Sequence, residues 1–333
     1  MKLAGTVVIE EFDSAALRGN PLGDPASRPI PVYLPPDYNK HSDRRYPVIY
    51  WLHGFTGTGL GGINYNPWVP SLPEVMDRVI AEGAPPAILV MADGYTKYGG
   101  SQYINSSATG RYEDATKELV GFIDGRFRTL TARDHRGLTG KSSGGYGALV
   151  LAMRNPQVFG AVASHSGDMY FEACYLVDFW KAADTIRKEG GPEAFLKKFL
   201  DAPKKPNDMA HVLMALVAMA MAYSPNPSSP LGFDMPLDLD TGLLNDEVWK
   251  RWLEWDPVRM VERHADSLRG MRLVYVECGS RDQYNLHHGA RILHRRMEQL
   301  GIKHEHQEFD DDHTAVNYRY VESLRRLCVA LQP

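Results

Sequence analysis

Apolar and polar residues follow two different periodicities along this chain. The runs at 46–52 and 87–92 are almost continuously apolar, as expected of strands buried on both faces of a parallel sheet. The stretch 113–127 instead carries apolar residues at helical spacing, and a helix is also predicted at 72–82. Further strands are predicted at 3–12, 28–34, 159–165, 272–278 and 303–309, and further helices at 288–300 and 315–331. Strands alternating with helices predict an α/β fold, with a mostly parallel central sheet and helices on both faces.

The pattern changes between residues 168 and 268. Strand signals vanish there, helical signals dominate, and a cluster of Pro, Asn and Ser at 224–230 interrupts them. We therefore predict that residues 1–167 and 269–333 form the α/β core and that 168–268 is a helical cap or lid inserted into it. An insertion that follows the carboxyl end of a strand lies where a cover over a functional site would be built.

The segment 209–222 within this insertion is almost wholly apolar and carries Met209, Met214, Met219 and Met221. It is too short to span a bilayer and lacks basic flanks, so it predicts a buried helix of the cap. A flexible methionine-rich wall for an apolar substrate group, or a dimer contact, remains an alternative, and homo-oligomerisation stays open.

Composition narrows the function classes. The 333 residues are 44% hydrophobic and 23% charged, and the formal net charge of −4 gives no reason to expect nucleic acid or an anionic membrane as partner. Cys174, Cys278 and Cys328 are far apart and odd in number, which favours reduced, buried thiols over disulfides or a zinc site. The amino terminus lacks the apolar core of a signal peptide, so a cytoplasmic location is the default expectation.

The segment 137–149 carries the strongest chemical signal. A short strand pattern leads into Gly140, Ser142 lies between Gly140 and Gly144, and an apolar helical run follows at once. This strand-turn-helix context is the one required of a Gly-x-Ser-x-Gly nucleophile elbow, which would expose the Ser142 hydroxyl at the carboxyl end of the sheet. The alternative is a glycine-rich turn that only begins a helix.

A serine nucleophile needs an imidazole as base and a carboxylate to orient that imidazole, here in the chain order Ser, acid, His. Asp282 directly follows the strand predicted at 272–278, and His313 directly follows the strand predicted at 303–309. The other histidines fall mostly inside predicted strands and helices or on the wrong side of this order. His53 is interpreted as shaping a loop, and the acidic run 310–312 could equally be a solvated surface.

The oxyanion of the reaction needs two backbone donors. The N–H of Ser143, the residue after the predicted nucleophile, is the first candidate. The second is the N–H of Phe55, in the loop after the strand at 46–52, with Thr56 as the runner-up. His304 and His306 lack any established spacing of metal ligands, so metal catalysis is not expected.

Several short motifs together carry a family resemblance. They lie at 32–38, 46–54, 93–94, 112–119 and 140–148 and in the loops of Asp282 and His313. In these residues the chain resembles the esterase D family of α/β-hydrolases, which includes S-formylglutathione hydrolases, feruloyl esterases and siderophore esterases. The resemblance implies an α/β-hydrolase fold and serine-dependent ester hydrolysis without metal or organic cofactor. It also suggests Trp68 at the pocket for the acyl group, and Thr56 is a further candidate for that pocket.

The chain departs from this family around the histidine. Many relatives have glycine before it and tryptophans after it, whereas here Asp312 precedes His313 and Ala315 and Tyr318 follow. We therefore predict a carboxylic ester hydrolase that acts on a small-molecule ester through an acyl-enzyme, without predicting the substrate. The alternatives are an acyltransferase or a thioesterase of the same fold, and a non-catalytic binding protein built on it.

Overall fold

The predicted central sheet is present in the computed structural model, which describes residues 3–203 and 208–333. Eight strands form one sheet in the order β1-β2-β4-β3-β7-β8-β9-β10, and β5 and β6 form a separate short hairpin. The strands are β1 (Thr6–Asp13), β2 (Ser27–Leu34), β3 (Val48–Leu52), β4 (Ile88–Ala92), β5 (Asn105–Ser106), β6 (Gly110–Arg111), β7 (Arg136–Lys141), β8 (Ala161–His165), β9 (Leu273–Gly279) and β10 (Glu305–Phe309).

The sheet is mostly parallel, as predicted. Only β2 pairs antiparallel with its neighbours β1 and β4, and every other adjacent pair is parallel. The continuous apolar runs are the central strands, because β3 and β4 are buried along their whole length on both faces. Leu52 pairs with Gly140, and Lys141 pairs with His165, so the loops that follow β3, β7 and β8 emerge at one edge of the sheet.

Helices cover both faces of the sheet and fill the insertion. They are α1 (Leu72–Ala81), α2 (Tyr112–Arg126), α3 (Ser143–Arg154), α4 (Val177–Lys188), α5 (Pro192–Asp201), α6 (Asp208–Tyr223), α7 (Asp246–Leu253), α8 (Pro257–Arg263), α9 (Ala265–Arg269), α10 (Leu286–Gln299) and α11 (Tyr320–Ala330). One π-helical turn, Glu172–Leu176, leads into α4. The segment between β4 and α2 contains the hairpin of β5 and β6, and the last predicted helix begins as a 3-10 turn, Val316–Arg319, before α11.

The insertion shares its hydrophobic core with the sheet. One buried cluster includes Leu138 of β7 together with Phe179, Met219 and Trp252 of the insertion. Helices α8 and α9 pack on α3, and α8 also packs on α10, so the last part of the predicted cap lies against helices of the predicted core. In the described part of the chain between β8 and β9, the regular elements are helices; the Met209 side chain lies outside the described residues.

Two further expectations concern the cysteines and the apolar helix. Cys174, Cys278 and Cys328 are all free and buried, as predicted. Among the described residues, no helix is both long enough and apolar enough to cross a membrane.

Candidate active site

Ser142 occupies a strained turn between β7 and α3. Its backbone has φ 59° and ψ −130°, a combination that costs free energy for any residue other than glycine. Gly140 and Gly144 have to be glycines because a side chain at either position would collide with the backbone. A Cβ at Gly144 would lie 2.0 Å from the Leu52 carbonyl oxygen, and a Cβ at Gly140 would lie 2.5 Å from the same oxygen. The Gly-x-Ser-x-Gly segment therefore forms the sharp strand-to-helix elbow that the sequence predicted.

The predicted base and acid are hydrogen-bonded to each other. His313 Nδ1 lies 2.8 Å from Asp282 Oδ2, and the Asp282 side chain is completely buried. A carboxylate at this distance holds the proton on Nδ1 and leaves Nε2 with its lone pair free to accept a proton. The pair thus has the geometry expected of an imidazole base and the carboxylate that orients it.

Neighbouring groups hold the His313 loop in place. The backbone N–H of His313 donates to Gln283 Oε1 at 2.9 Å, and Lys141 Nζ donates to the His313 carbonyl oxygen at 2.9 Å. The Tyr284 ring stands edge-on against the imidazole, with 4.9 Å between the ring centroids. Burial lowers the pKa of Lys141, and the carboxylates of Asp282 and Asp312 oppose that shift.

Ser142 and His313 line the same cavity, together with the oxyanion-hole candidates Phe55 and Ser143. In the described part of the chain, Ser142 Oγ and His313 Nε2 do not form a hydrogen bond with each other. Nucleophile and base are often loosely aligned in a free enzyme and tighten when substrate binds. The structure therefore brings Ser142 and His313 to one cavity, with Asp282 hydrogen-bonded to His313.

The loop after β3 lies directly against the elbow. A Cβ at Gly54 would sit 3.5 Å from Ser142 Cβ, which places the next residue, Phe55, beside the nucleophile. Ser143 is the first residue of α3, and the first N–H groups of a helix have no acceptor one turn back. Both backbone positions named for the oxyanion hole therefore flank Ser142.

The runner-up Thr56 is not suited to this role. Its N–H donates to the Gly99 carbonyl oxygen at 2.7 Å, and the residue does not line the cavity. Trp68 does not line the cavity either, because its side chain is 90% exposed on the loop before α1. The placement of Thr56 and Trp68 at the acyl pocket is thus corrected.

His53 stabilises the oxyanion loop instead of acting as a base. Its Nε2 accepts the N–H of Gly94 at 2.9 Å, which leaves Nδ1 to donate to the Gly54 carbonyl oxygen at 2.8 Å. Burial lowers the pKa of His53, although the Gly54 carbonyl opposes that shift. A neutral imidazole with both nitrogens engaged cannot accept the serine proton.

The cavity has a volume of about 260 Å³ and is bounded by the sheet edge on one side and the insertion on the other. The insertion contributes mainly apolar and aromatic side chains; the lining includes Cys174, Tyr175, Phe179, Val212, Ala215, Leu216 and Met219. The methionine-rich segment therefore supplies part of the wall, through Met219.

Sequence reasoning missed Asp168, a buried carboxylate in the cavity wall. It follows β8 by three residues and belongs to no motif that spacing could reveal. A polar residue just after the carboxyl end of a central parallel strand was the one available signal.

No cluster of three or more His, Cys, Asp or Glu residues is arranged to hold a metal ion within residues 3–203 and 208–333. His294 Nδ1 and His304 Nε2 share a hydrogen bond of 2.7 Å, and His306 stacks on the same His294 ring. These three imidazoles pack between α10 and β10, on elements that are separate from the elbow.

Comparison with known proteins places this geometry in a family context. The family model described as "Putative esterase" matches residues 25–324. The chain is 34% identical over 149 residues to an endo-1,4-beta-xylanase/feruloyl esterase of Xylanibacter ruminicola, covering 42% of this chain and 19% of that protein. It is 31% identical over 158 residues to an esterase of Mycobacterium tuberculosis, covering 47% of this chain and 31% of that one. The chain thus spans less than a third of the length of these curated relatives.

Solved structures resemble the chain over nearly its whole length. A ferulic acid esterase superposes with a TM-score of 0.62 at 18% identity, covering 99% of this chain and 100% of that one. An S-formylglutathione hydrolase from Agrobacterium tumefaciens superposes with a TM-score of 0.61 at 16% identity, covering 100% and 98%. A fluorophosphonate-binding serine hydrolase from Staphylococcus aureus gives 0.61 at 15% identity, covering 99% of both chains. These similarities establish the α/β-hydrolase fold.

Proposed function

Because the chain belongs to the family described as "Putative esterase", we propose that it hydrolyses small-molecule carboxylic esters through an acyl-enzyme on Ser142. The observation that carries the proposal is the hydrogen-bonded pair of His313 and Asp282 in the same cavity as a serine on a strained elbow. A turn that merely started a helix would need neither the strain nor the buried acid-imidazole pair.

The first half of the reaction transfers the acyl group to the enzyme. Ser142 Oγ attacks the ester carbonyl carbon while His313 Nε2 takes the hydroxyl proton, and Asp282 stabilises the resulting imidazolium. The negative oxygen of the tetrahedral intermediate is held by the N–H groups of Phe55 and Ser143. The bond to the leaving oxygen then breaks, and His313 returns the proton to that oxygen, which releases the alcohol.

The second half regenerates the free enzyme. His313 takes a proton from a water molecule, whose oxygen attacks the acyl carbon. Collapse of this second intermediate breaks the bond to Ser142 Oγ, which regains its proton from His313 and releases the carboxylic acid. If an alcohol or a thiol attacked the acyl-enzyme in place of water, the acyl group would be transferred to that acceptor. A thioester could also replace the ester as the acyl donor.

Replacement of the nucleophile tests the proposal. We expect Ser142→Ala to lower kcat for short p-nitrophenyl esters by about three orders of magnitude or more, because the acyl-enzyme cannot form. The matched control is Ser228→Ala, on an exposed turn of the insertion, which should retain wild-type turnover. Wild-type turnover in Ser142→Ala would reject the assignment.

Covalent labelling separates an enzyme from a binding protein of the same fold. A fluorophosphonate should label wild-type protein once per chain and should fail to label Ser142→Ala. Folded wild-type protein that takes no label would favour the binding protein. Product analysis with added alcohols then distinguishes hydrolysis from acyl transfer.

A further inference from the structure

Two carboxylates lie in the wall of the catalytic cavity and take no part in the proposed reaction. Asp168 follows β8, and Asp178 lies in the first turn of α4. Burial raises the pKa of Asp178, and the positive charge of the neighbouring Lys181 opposes that increase. The other charged or titratable groups of this wall are Lys141, Cys174, Tyr175, Tyr284 and His313. The cavity thus carries two acids that the proposed reaction does not use.

The hydrogen bonds of Asp168 are concentrated on one of its two oxygens. Oδ2 accepts from Tyr175 Oη at 2.9 Å, from Gln102 Nε2 at 3.1 Å and from Ser143 Oγ at 3.2 Å. No donor in the described parts of the chain reaches Oδ1, and this oxygen keeps some accessible surface. Asp168 is 7% exposed and lines the cavity, so this remaining exposure lets Oδ1 meet a bound molecule.

The surroundings fix the carboxylate in place. Gln102 has a left-handed backbone with φ 54°, an unfavourable conformation for a non-glycine residue, and its amide also donates to Tyr223 Oη at 2.8 Å. Side chains from the loop before α2 and from the insertion therefore converge on Asp168. Strained backbone that supports a preorganised polar group is typical of ligand sites.

The position of Asp168 creates an electrostatic conflict. Its Oδ2 contacts the side chain of Ser143, whose backbone N–H is assigned to the oxyanion hole. A negative charge this close to the developing oxyanion would raise the barrier to ester cleavage, because both charges lie in a site of low dielectric constant. Burial raises the pKa of Asp168, against the hydrogen bonds from Gln102 and Tyr175. A cation on the substrate would remove the conflict during catalysis.

The cavity offers such a cation a suitable environment. Tyr175, Phe179 and Phe55 supply aromatic rings, which attract ammonium groups through their π faces. Among the described residues of this lining, Lys141 is the one lysine or arginine, and its ammonium group donates to the His313 carbonyl oxygen. Two carboxylates against one ammonium group leave this lining with a negative formal charge.

We propose that Asp168, assisted by Asp178, makes the cavity selective for esters that carry a protonated amine, with the ammonium group donating to Asp168 Oδ1. The inference rests on the proposed ester hydrolysis and adds its substrate class. Asp168 is then a specificity-determining residue that neutralises its own charge with the substrate.

Matched substrate pairs test this directly. Methyl 5-aminopentanoate and methyl hexanoate differ only by an ammonium group in place of a methyl group on the acyl side. The pair 4-aminobutyl acetate and pentyl acetate makes the same exchange on the alcohol side. In at least one pair, we expect kcat/KM of the wild type to favour the charged ester by about 10- to 100-fold, as for a charge-assisted hydrogen bond. Acid release is followed in a pH-stat, with the spontaneous reaction subtracted.

Variants connect the preference to the residue. In Asp168→Asn the amide oxygen can keep the three donors while its NH₂ faces the cavity, so the charged-to-neutral ratio should fall to about one or below. Asp178→Asn should lower the ratio by a smaller factor. The control Asp184→Asn removes an exposed acid of the same α4 helix and should keep the wild-type ratio. If Asp168→Asn does not fold, n-pentylammonium should inhibit wild-type enzyme competitively and more strongly than 1-pentanol.

The outcomes separate the two proposals. If the wild type hydrolyses the neutral esters at least as well as the charged ones, or if Asp168→Asn keeps the preference, the selectivity for amines is overturned and the esterase stands. Equal inhibition by n-pentylammonium and 1-pentanol would overturn it as well. If no ester is turned over and no fluorophosphonate reacts with Ser142, the proposed hydrolysis itself fails.

Discussion

Asp282 determines which nitrogen of His313 carries a proton. Its Oδ2 lies 2.8 Å from Nδ1, and its Oδ1 accepts the backbone N–H of Tyr284 at 2.9 Å. Both oxygens are thus engaged, and the imidazole is held in the tautomer with a free Nε2 lone pair. The proposed catalysis depends on this choice of tautomer as much as on the presence of the imidazole.

Asp282→Asn therefore tests orientation separately from packing. The amide would donate to Nδ1 and invert the tautomer, so we expect kcat for p-nitrophenyl esters to fall by about 10²- to 10⁴-fold while Tm changes little. Asp310→Asn, an exposed neighbour in the same loop as His313, is the control and should stay close to wild type. Full activity in Asp282→Asn would mean that another group orients the imidazole.

Glu277 makes a second buried pairing, beneath the elbow. Its carboxylate lies 2.5 Å from His165 Nδ1 and 2.5 Å from Arg319 Nη2, and the His165 carbonyl oxygen accepts the N–H of Ser142. Burial by itself would raise the pKa of Glu277, but His165 and Arg319 outweigh it and lower the pKa to about 2. The charged carboxylate therefore stabilises the folded state.

The direction of this pKa shift fixes the pH dependence. Because the folded-state pKa is depressed, the stabilisation is complete above the unfolded pKa near 4.5 and is lost as pH falls from there towards about 2. The loss amounts to about 3 kcal/mol, as an order of magnitude. Urea unfolding between pH 3 and 7 should show a shallower acid-side slope in Glu277→Gln than in the wild type. The exposed Glu254→Gln should follow the wild-type slope, and an unchanged slope in Glu277→Gln would contradict the pairing.

Residues differ in how far the sequence could place them. Ser142, Asp282 and His313 were predictable because each follows a strand, and strand ends meet at one edge of a parallel sheet. Asp168 acquires its surroundings only when Gln102 and Tyr175, distant in the chain, fold around it. Trp68 was named from the family resemblance, which does not determine the direction in which its loop leaves the sheet, and its side chain is exposed.

The elbow shows the same contrast at the level of elements. The sequence shows both the apolar run that forms β3 and the glycines of the elbow. The contact between them depends on the register in which β3 pairs with β7. Leu52 pairs with Gly140, and this register brings the Leu52 carbonyl oxygen against Gly144. The end of β3 and the start of α3 can approach only where side chains are absent.

Alanine substitutions test how closely the end of β3 and the start of α3 approach each other. Gly144→Ala would force a Cβ to within 2.0 Å of the Leu52 carbonyl oxygen, so we expect a loss of about 3 kcal/mol or more in the free energy of unfolding, together with lost activity. Gly121→Ala is the matched control in α2, where an added Cβ meets nothing within 4 Å and φ is negative. That variant should gain about 0.5–1 kcal/mol. Similar behaviour of the two variants would show that the elbow can relax.

At the scale of the whole molecule, the insertion and the sheet share one hydrophobic cluster. The aromatic side chains of Phe179 and Trp252 are buried in the same cluster as Leu138 of the sheet. The sequence predicts that the insertion begins at residue 168 because the strand pattern stops there. It could not show that α8 and α9 pack on α3, because helical periodicity does not identify the surface on which a helix packs.

A shared core predicts a single unfolding transition. Cys328 lies in the cluster on the other face of the sheet, is fully buried, and burial raises its pKa to about 12. Its alkylation should therefore occur only with global unfolding, at the same urea concentration as the change in tryptophan fluorescence. Peptide mapping identifies the labelled cysteine. Two separated transitions, with fluorescence changing before Cys328 reacts, would show that the insertion unfolds on its own.

The proposed reacting groups and the far wall of the cavity come from different stretches of the chain. Ser142 and His313 are carried by loops at the sheet edge, whereas Tyr175, Leu216 and Met219 belong to the insertion. Laboratory evolution can exploit this separation, since libraries confined to the wall could retune acyl preference without disturbing proton transfer. The same architecture would let gene recombination exchange one recognition surface for another above an unaltered reaction centre.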